Sequence, residues 1–476
     1  MNYRLKEHFN ISIVNLSVRE LNMCGIFFCY SKNTSTLDKY LDNKEDLIFE
    51  IMSRGPDFLG ESIGKNYVAS HTLLSITGYR EQPVNTDRYM ILFNGEIYDD
   101  YTEYNEDYSD TDYLTSFIEE NENKNFGELT GEFAIVVYDK FENSLTLISD
   151  PFNTKPLYYQ IVDETIIVAT FDSIIKRFQL GNTPIRRLAP NQRIKFKLDK
   201  MSIDQCESNF LFNFGSQEKE NYNDWNSAFE KSIIMRAKYT KHPIFVPMSS
   251  GHDSGLIVAE LLQLGIPFNA YAFPLGEDLE TLMARIDILN RKKINVKILE
   301  PSGDLVDQMR EDLLKNVNAI HYKNPYFTEK SFTDTDFRKL GGTIAANYMY
   351  KLARNAGELI GLFGNGGDEI YCDYYYPPPS NNGWSTVNGD WRSQAGPWHN
   401  FQGGWNEVFL YGSERICSHN SIEGRYPLLD KKAVQEFLFL APEKKGTPHK
   451  GPIANRLKEL EFPIFKKKYG FSGVNV

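Results

Sequence analysis

Two stretches of this chain place small residues and carboxylates where chemistry on a phosphate is possible. In the first, the apolar run Ile244-Phe245-Val246-Pro247-Met248 breaks into Ser249-Ser250-Gly251-His252-Asp253-Ser254-Gly255 and resumes as the apolar segment 256–262. A buried strand, a tight loop of hydroxyls and glycine, and then a helix N-terminus form an anion cradle. Small side chains let backbone N–H groups approach a phosphate, and the helix dipole favours negative charge there. Asp253 does not suit an anion directly, but it suits Mg²⁺ carried on a pyrophosphate. The second stretch, Gly364-Asn365-Gly366-Gly367-Asp368-Glu369, follows another apolar run, and its glycines permit close backbone approach. Carboxylates at two neighbouring strand ends would share a Mg²⁺ on a nucleotide. Read alone, each loop is equally an ordinary turn whose Asp or Ser caps the next helix.

A different chemistry is available at Met23-Cys24-Gly25. Once the Met is removed, Cys24 becomes the N-terminal residue, and its α-amine, with a pKa of ~8, serves as base for the thiol. A lone Cys is more commonly just a buried apolar side chain. Asn94-Gly95-Glu96 ends an apolar run. An Asn side chain beside a Gly N–H is a possible oxyanion hole for acyl transfer, and Asn-Gly is also a common hairpin turn.

These residues need elements to hold them. From Cys24 to about Phe171 the chain reads mainly as strands: 25–30, 67–69, 90–93, 132–138, 144–148 and 165–169 are rich in β-branched and aromatic residues. Two amphipathic segments, 37–52 and 112–122, interrupt them, the second with Leu114, Phe117 and Ile118 at helical spacing. That mixture predicts an α+β layered domain. Residues 172–222 are less regular, and 209–223 read as a linker. From Asn223 onward the texture alternates: helix 225–239, strand 244–248, a helix from Leu256, strand 268–273, helix 279–291, strand 296–299, helix 304–317 and strand 358–363. Alternation of this kind predicts an α/β doubly wound parallel sheet, whose ligands sit beyond the carboxyl ends of its strands. Residues 374–405 hold Pro377-Pro378-Pro379 and four tryptophans, Trp384, Trp391, Trp398 and Trp405, and read as an aromatic loop or a lid facing substrate.

The chain has 476 residues, enough for two or three domains, with 41% hydrophobic and 24% charged residues, as in ordinary globular proteins. A net charge of −12 argues against a nucleic-acid or anionic-membrane partner. The five cysteines, Cys24, Cys29, Cys206, Cys372 and Cys417, form no CxxC pair and suit a reducing cytosol. No apolar run reaches spanning length, and residues 1–22 are a poor signal peptide. A cytoplasmic enzyme is the expectation.

In order, Met23-Cys24-Gly25-Ile26, Arg54-Gly55-Pro56-Asp57, Gln82-Pro83, Asn94-Gly95-Glu96-Ile97-Tyr98, Asp112, Gly131-Glu132-Phe133-Ala134 and Asp150-Pro151-Phe152 resemble the class II glutamine amidotransferases. Ser249–Ser254 resembles a pyrophosphate loop. Gly364–Glu369, Arg425-Tyr426-Pro427-Leu428-Leu429-Asp430, Lys450 and Lys468-Tyr469-Gly470-Phe471 extend the resemblance to glutamine-dependent asparagine synthetases. The resemblance implies an N-terminal-nucleophile (Ntn) layered amidotransferase domain at 23–208, a linker at 209–223 and an ATP-pyrophosphatase domain at 224–476, with 1–22 as an extension. Cys24 would hydrolyse glutamine through a thioester, and Asn94 and Gly95 would hold the oxyanion. Leu73, Leu74, Ser75, Ile76 and Thr77 would line the pocket, and Glu96 with Asp112 would bind the amino group. Ammonia would cross a tunnel to a carboxylate, aspartate or another, adenylated by MgATP. For ATP, the resemblance points to Met248, Ser249, Ser250, Gly251, Asp253, Ser254, Phe273, Gly364 and Asn365. Asp253 and Asp368 would hold Mg²⁺, and Lys450 would stabilise charge on the phosphates. A homodimer is compatible with it.

Three positions depart from that pattern. Leu73 stands where the family carries an Arg that pairs with the glutamine carboxylate, so that either Arg80 or Arg54 takes its place or the enzyme prefers free ammonia. Asn365 stands where the family has an acid tied to forming the aspartyl adenylate, which opens the acceptor to other carboxylates. Ser250 replaces a glycine of the pyrophosphate loop. In addition, residues 1–22 precede Cys24, so a free α-amine requires initiation at Met23 or cleavage.

Overall fold

The computed structural model describes residues 24–42, 57–98, 109–120, 125–238, 240–319, 321–322, 335–372, 398, 400–446 and 448–465. Strand Gly25–Ser31 lies between Tyr67–Leu73 and Thr165–Ala169 in a six-stranded antiparallel sheet completed by Phe58–Ile63, Tyr158–Val162 and Arg186–Arg187. A second six-stranded antiparallel sheet runs in the order Ser202–Ser208, Gln192–Lys197, Ser144–Ser149, Gly131–Asp139, Tyr89–Ile97, Val84–Asn85. Period-two alternation decides how they stack. Ile26, Phe28 and Tyr30 point into a core shared with Met90, Leu92, Val136 and Leu147 of the other sheet. Phe27 and Cys29 point the opposite way, onto Tyr40, Ile174 and Phe178 of the covering helices Thr34–Asp42 and Asp172–Arg177. Leu114 and Ile118 of helix Asp110–Glu120 cover the outer face of the second sheet. Helices therefore flank two stacked sheets, the layered α+β domain expected.

The carboxyl-terminal half is built on a five-stranded parallel sheet in the order Asn295–Ile298, Asn269–Ala272, Ile244–Met248, Ile360–Leu362, Glu423–Arg425. The first three strands in sequence run out to one side, and the last two add on the other. The sheet is doubly wound, and its order reverses between Ile244–Met248 and Ile360–Leu362. Ligand crevices open at such a reversal, beyond the strand ends. The loops carrying Asp253 and Asp368 both leave from there. Pro247 has no N–H to give a ladder. Pairing with Ile360–Leu362 involves only Ile244 and Phe245, which leaves Pro247 beyond it.

Several elements differ from the sequence expectation. Gln192–Lys197 and Ser202–Ser208 form a hairpin within the stretch read as irregular. Every residue of Ser202–Ser208 is exposed, so no apolar alternation marks it. Helices Gly341–Asn355, Gly404–Asn420, Lys431–Phe439 and Gly451–Glu459 and strand Glu423–Arg425 also lay outside that reading. The first helix spans Thr34–Asp42, and the rest of the expected 37–52 lies outside the described residues, as do Arg54, Trp384, Trp391 and Lys468–Phe471. Residues 209–222 hold no helix and, apart from an isolated parallel bridge between Lys219 and Leu440, no strand pairing, but they are not a loose tether. Asn191 Nδ2 donates to Phe210 O at 2.6 Å, and the N–H groups of Glu218 and Lys219 both donate to Phe439 O at 3.0 Å. Of the Trp-rich stretch, Trp398 Nε1 donates to Glu369 O at 2.5 Å, and the neighbouring Phe401 is fully buried against Phe152 and Phe212.

The two halves meet across buried charges. Lys155, with no exposed surface, lies 3.0 Å from both Glu414 and Glu423 and donates to Gly424 O at 2.8 Å. Arg236 donates to Glu132 at 2.7 Å and pairs with Asp430 at 3.2 Å, and Arg425 pairs with Glu96 at 3.3 Å. Removing one partner of such a network strands the others uncompensated. Lys155→Met is expected to cost about 3–5 kcal/mol, seen as a lowered midpoint for loss of the interface in thermal unfolding. An unchanged midpoint would show that the junction does not depend on this ammonium.

Candidate active sites

The first site forms around Cys24. Gly25 pairs with Thr72 across the sheet, so the next step along both strands puts Cys24 opposite Leu73, one residue before Leu74. Cys24 Sγ accepts the Leu74 N–H at 3.3 Å and lies 3.7 Å from Leu74 O. The loop that follows is tied at several points. Ser75 N donates to Asp57 Oδ2 at 2.7 Å, Ser75 Oγ to Gly78 O at 2.7 Å, and Thr77 Oγ1 to Glu96 Oε2 at 2.5 Å. Leu73, Leu74 and Ile76 are buried. A bond of 2.8 Å between His71 Nε2 and Phe93 O stitches this sheet to the strand bearing Asn94, Gly95 and Glu96.

Asn94 is buried, and neither Nδ2 nor Oδ1 has a hydrogen-bond partner among the described residues. An orphaned buried amide costs about 1–3 kcal/mol, and a ligand that bonds to it recovers that cost. Gly95 has φ +123°, and a Cβ there would sit 1.8 Å from Glu132 O, so only glycine fits. The two acids expected to act together have different partners. Glu96 is buried against Thr77 and Arg425; burial pushes its carboxyl above the ordinary value, while Arg425 pulls it down. Asp112, at the start of its helix, accepts from Ser109 N at 3.1 Å and Ser109 Oγ at 3.2 Å, and pairs with Arg80 at 3.3 Å.

The second site occupies the reversal of the parallel sheet. Lys450 Nζ donates to Asp253 Oδ1 and Oδ2 at 2.7 and 2.6 Å and lies 2.8 Å from Asp368 Oδ1. Lys450 is buried just before helix Gly451–Glu459, with φ 55°. Burial opposes its charge, but Asp253 and Asp368 outweigh that and hold its pKa well above the usual lysine range. The loop 364–367 presses against Asp253: a Cβ on Gly367 would fall 2.2 Å from the Asp253 carboxyl carbon. Asn365 Nδ2 donates to Ser413 Oγ at 3.3 Å.

The cradle loop carries its own bonds. Ser249 N donates to Ser254 Oγ and Gly251 N to Ser249 Oγ, each at 3.1 Å. Ser250 N donates to Glu277 Oε2 at 2.6 Å, and Ser250 Oγ bonds to the same oxygen. Arg285 donates to Ser249 O and Gly251 O at 2.6 and 2.7 Å. Met248 and Phe273 are buried at the ends of their neighbouring strands. Sequence reasoning missed Glu277, Arg285 and the Arg425–Glu96 pair. Gly255 carried one legible signal, because a Cβ there would meet the Arg285 guanidinium at 2.5 Å. An isolated Glu on a loop carried none.

The glutamine amidotransferase domain family matches residues 23–200. A putative glutamine-hydrolysing asparagine synthetase of Methanocaldococcus jannaschii is 26% identical over 67% of this chain and 60% of its own length. An asparagine synthetase domain-containing protein of Saccharomyces cerevisiae is 26% identical over 87% of each chain. The chain thus spans less than two thirds of the archaeal relative. A glutamine phosphoribosylpyrophosphate amidotransferase structure from B. subtilis aligns with 72% of this chain and 82% of its own at 12% identity, with a TM-score of 0.30. Residues 23–200 match the glutamine amidotransferase domain family, and the chain is similar in sequence to the glutamine-hydrolysing asparagine synthetases.

Proposed function

We propose that this chain is an ATP-dependent amide synthetase that draws its nitrogen from glutamine, with aspartate as the carboxylate and asparagine as the product. The observation that carries the reading is the convergence of Asp253, Asp368 and Lys450 at the sheet reversal, in the same chain as the Cys24–Leu74 contact and the orphaned Asn94 amide.

In this reading, the Cys24 thiolate attacks the side-chain carbonyl of glutamine. The Asn94 amide, which has no partner among the described residues, donates to the oxyanion, ammonia leaves, and water hydrolyses the thioester. A carboxylate is a poor acyl donor because its leaving group is oxide. Its attack on the α-phosphorus of ATP gives an acyl adenylate and pyrophosphate, and ammonia then displaces AMP. Lys450 supplies positive charge where the phosphates gather negative charge. Asp253 and Asp368 fit Mg²⁺ as hard oxygen ligands already arranged around one cation, and such an ion would neutralise phosphate charge. A dry passage between the sites would deliver neutral ammonia rather than ammonium.

A second reading keeps the chemistry and changes the acceptor. Asn365 offers an amide bonded to Ser413 rather than a carboxylate, which favours a carboxylic acid other than aspartate. Pyrophosphate release measured across a panel of carboxylates, with glutamine or ammonia as donor, separates the two. Turnover highest with aspartate supports the first reading, turnover highest with another acid supports the second, and release with none of them rejects both.

Glu277 gives this reading a pH dependence. Its carboxylate occupies the Ser250 N–H that a phosphate would use. Burial raises its pKa, with Ser250 and Arg285 pulling the other way. As pH falls through that raised value, the competing negative charge is lost, so ATP affinity is expected to rise toward acid pH. Glu277→Gln is expected to lower the KM for ATP several-fold, roughly the net worth of one ordinary hydrogen bond, and to flatten that pH trend. A variant with wild-type KM and wild-type pH trend would contradict this role.

A further inference from the structure

We propose that Cys372, His449 and Asp368 form a binding site for a thiophilic divalent ion of the zinc class, and that an ion held there switches off the phosphate chemistry at Asp253, Asp368 and Lys450. The binding stands on the geometry of the three side chains. Its inhibitory effect rests on the reading of this loop pair as an ATP site.

One ligand atom from each of Asp368, Cys372 and His449 lies within 4.8 Å of the other two. Thiol, imidazole and carboxylate together suit Zn²⁺, whereas Mg²⁺ prefers oxygen and gains nothing from sulfur. Asp368 and Cys372 are four positions apart across the turn Gly367–Ile370, so they share one face of it. Cys372 Sγ donates to Asp368 O at 3.2 Å and to Asp368 Oδ1 at 3.6 Å. Bonds from a tetrahedral zinc of about 2.3 Å to sulfur and about 2.0–2.2 Å to oxygen put those two ligand atoms roughly 3.5–3.7 Å apart, so the second distance already has the edge length of such a site. His449 comes from the other side, on a loop whose backbone is closely packed: a Cβ on the nearby Gly451 would fall 2.0 Å from Lys444 O. Cys372 is buried, while Asp368 and His449 are partly exposed, so an ion reaches the thiol from the solvent side past the other two.

Charge favours the ion as well. Asp253 and Asp368 around the single Lys450 ammonium leave one net negative charge. Binding displaces the Cys372 thiol proton to solvent, and a divalent ion with a thiolate brings one net positive charge. Asp368 is the shared element. Its Oδ1 lies 2.8 Å from Lys450 Nζ, and an ion bound on the Cys372 side draws the same carboxylate away from Lys450 and from Mg²⁺.

The experiment titrates the full-length chain with Co²⁺, a coloured stand-in for Zn²⁺, in a Cys24→Ala, Cys206→Ser background that removes the two cysteines that are not buried. The expected result is a near-ultraviolet thiolate-to-cobalt absorption that saturates at one equivalent, is erased by Zn²⁺ and survives excess Mg²⁺. Adding Cys372→Ser is expected to abolish it, and His449→Ala, on the partly exposed loop, to weaken Co²⁺ binding at least about tenfold. No absorption in the background chain, or the same absorption after Cys372→Ser, would overturn the site. Pyrophosphate release with ammonia as donor reads the effect separately: Zn²⁺ is expected to inhibit the background chain, and Cys372→Ser to raise the half-inhibiting concentration at least about tenfold. Equal inhibition of the two chains would overturn the switch. A chain that releases no pyrophosphate under any condition would reject the ATP reading, and the absorption alone would then decide the site.

Discussion

Cys24→Ala is expected to abolish glutamine-dependent amide formation, by at least about four orders of magnitude, and to leave ammonia-dependent formation close to the wild-type rate. The size of the loss follows from the role. A nucleophile that forms a covalent intermediate has no ready substitute: the Leu74 N–H bonded to Cys24 Sγ can bind but cannot attack. The selectivity follows from the fold. Cys24 belongs to the layered antiparallel domain, whereas Asp253, Asp368 and Lys450 belong to the parallel sheet. Replacing one part-buried thiol by a methyl group leaves the strand pairing of Gly25–Ser31 untouched. Rates measured with each nitrogen donor check this. Equal loss with glutamine and ammonia would mean that the two sites are not separate.

Lys450→Ala is expected to lower pyrophosphate release about a thousandfold with either donor, because the ammonium that would meet the phosphate charge is gone. It also leaves Asp253 and Asp368 converging without a cation. Breaking a buried pair costs about 3 kcal/mol or more. Both carboxylates keep some exposure, which lowers that figure. A divalent ion held by the two carboxylates restores stability by mass action. The expected result is therefore a lowered melting temperature in chelator and a larger gain on adding Mg²⁺ than the wild-type chain shows. Equal gains in the two proteins would show that the carboxylates do not hold the metal.

Much of this architecture was legible because its signals are local. The apolar run 244–248, the small-residue loop and the apolar helix after it announce a strand–loop–helix unit whatever the rest of the chain does. Gly364–Glu369 follows the same logic, and the sheet reversal brings the two loops together. What escaped notice depends on distant partners. Arg285 reaches the carbonyls of Ser249 and Gly251 from a helix more than thirty positions on, and Glu277 meets Ser250 only after the chain has crossed between strands. Lys155, Glu414 and Glu423 are ordinary charged residues in sequence, and only the docking of two domains buries them together. Strand Ser202–Ser208 was invisible for the opposite reason: with no buried face, its sequence carries no alternation. The expectation that Glu96 and Asp112 share one task came from resemblance, and the structure gives them different neighbours, Arg425 for one and Arg80 for the other.

The central claim is that one chain moves the amide nitrogen of glutamine onto a carboxylate activated by ATP. Glutamine labelled with ¹⁵N in its side-chain amide, supplied with ATP, Mg²⁺ and aspartate, tests it most directly. The expected result is ¹⁵N in a newly formed carboxamide, with AMP and pyrophosphate released in equal amounts to it. Labelled ammonia released without a carboxamide, or ADP and phosphate in place of AMP and pyrophosphate, would contradict it.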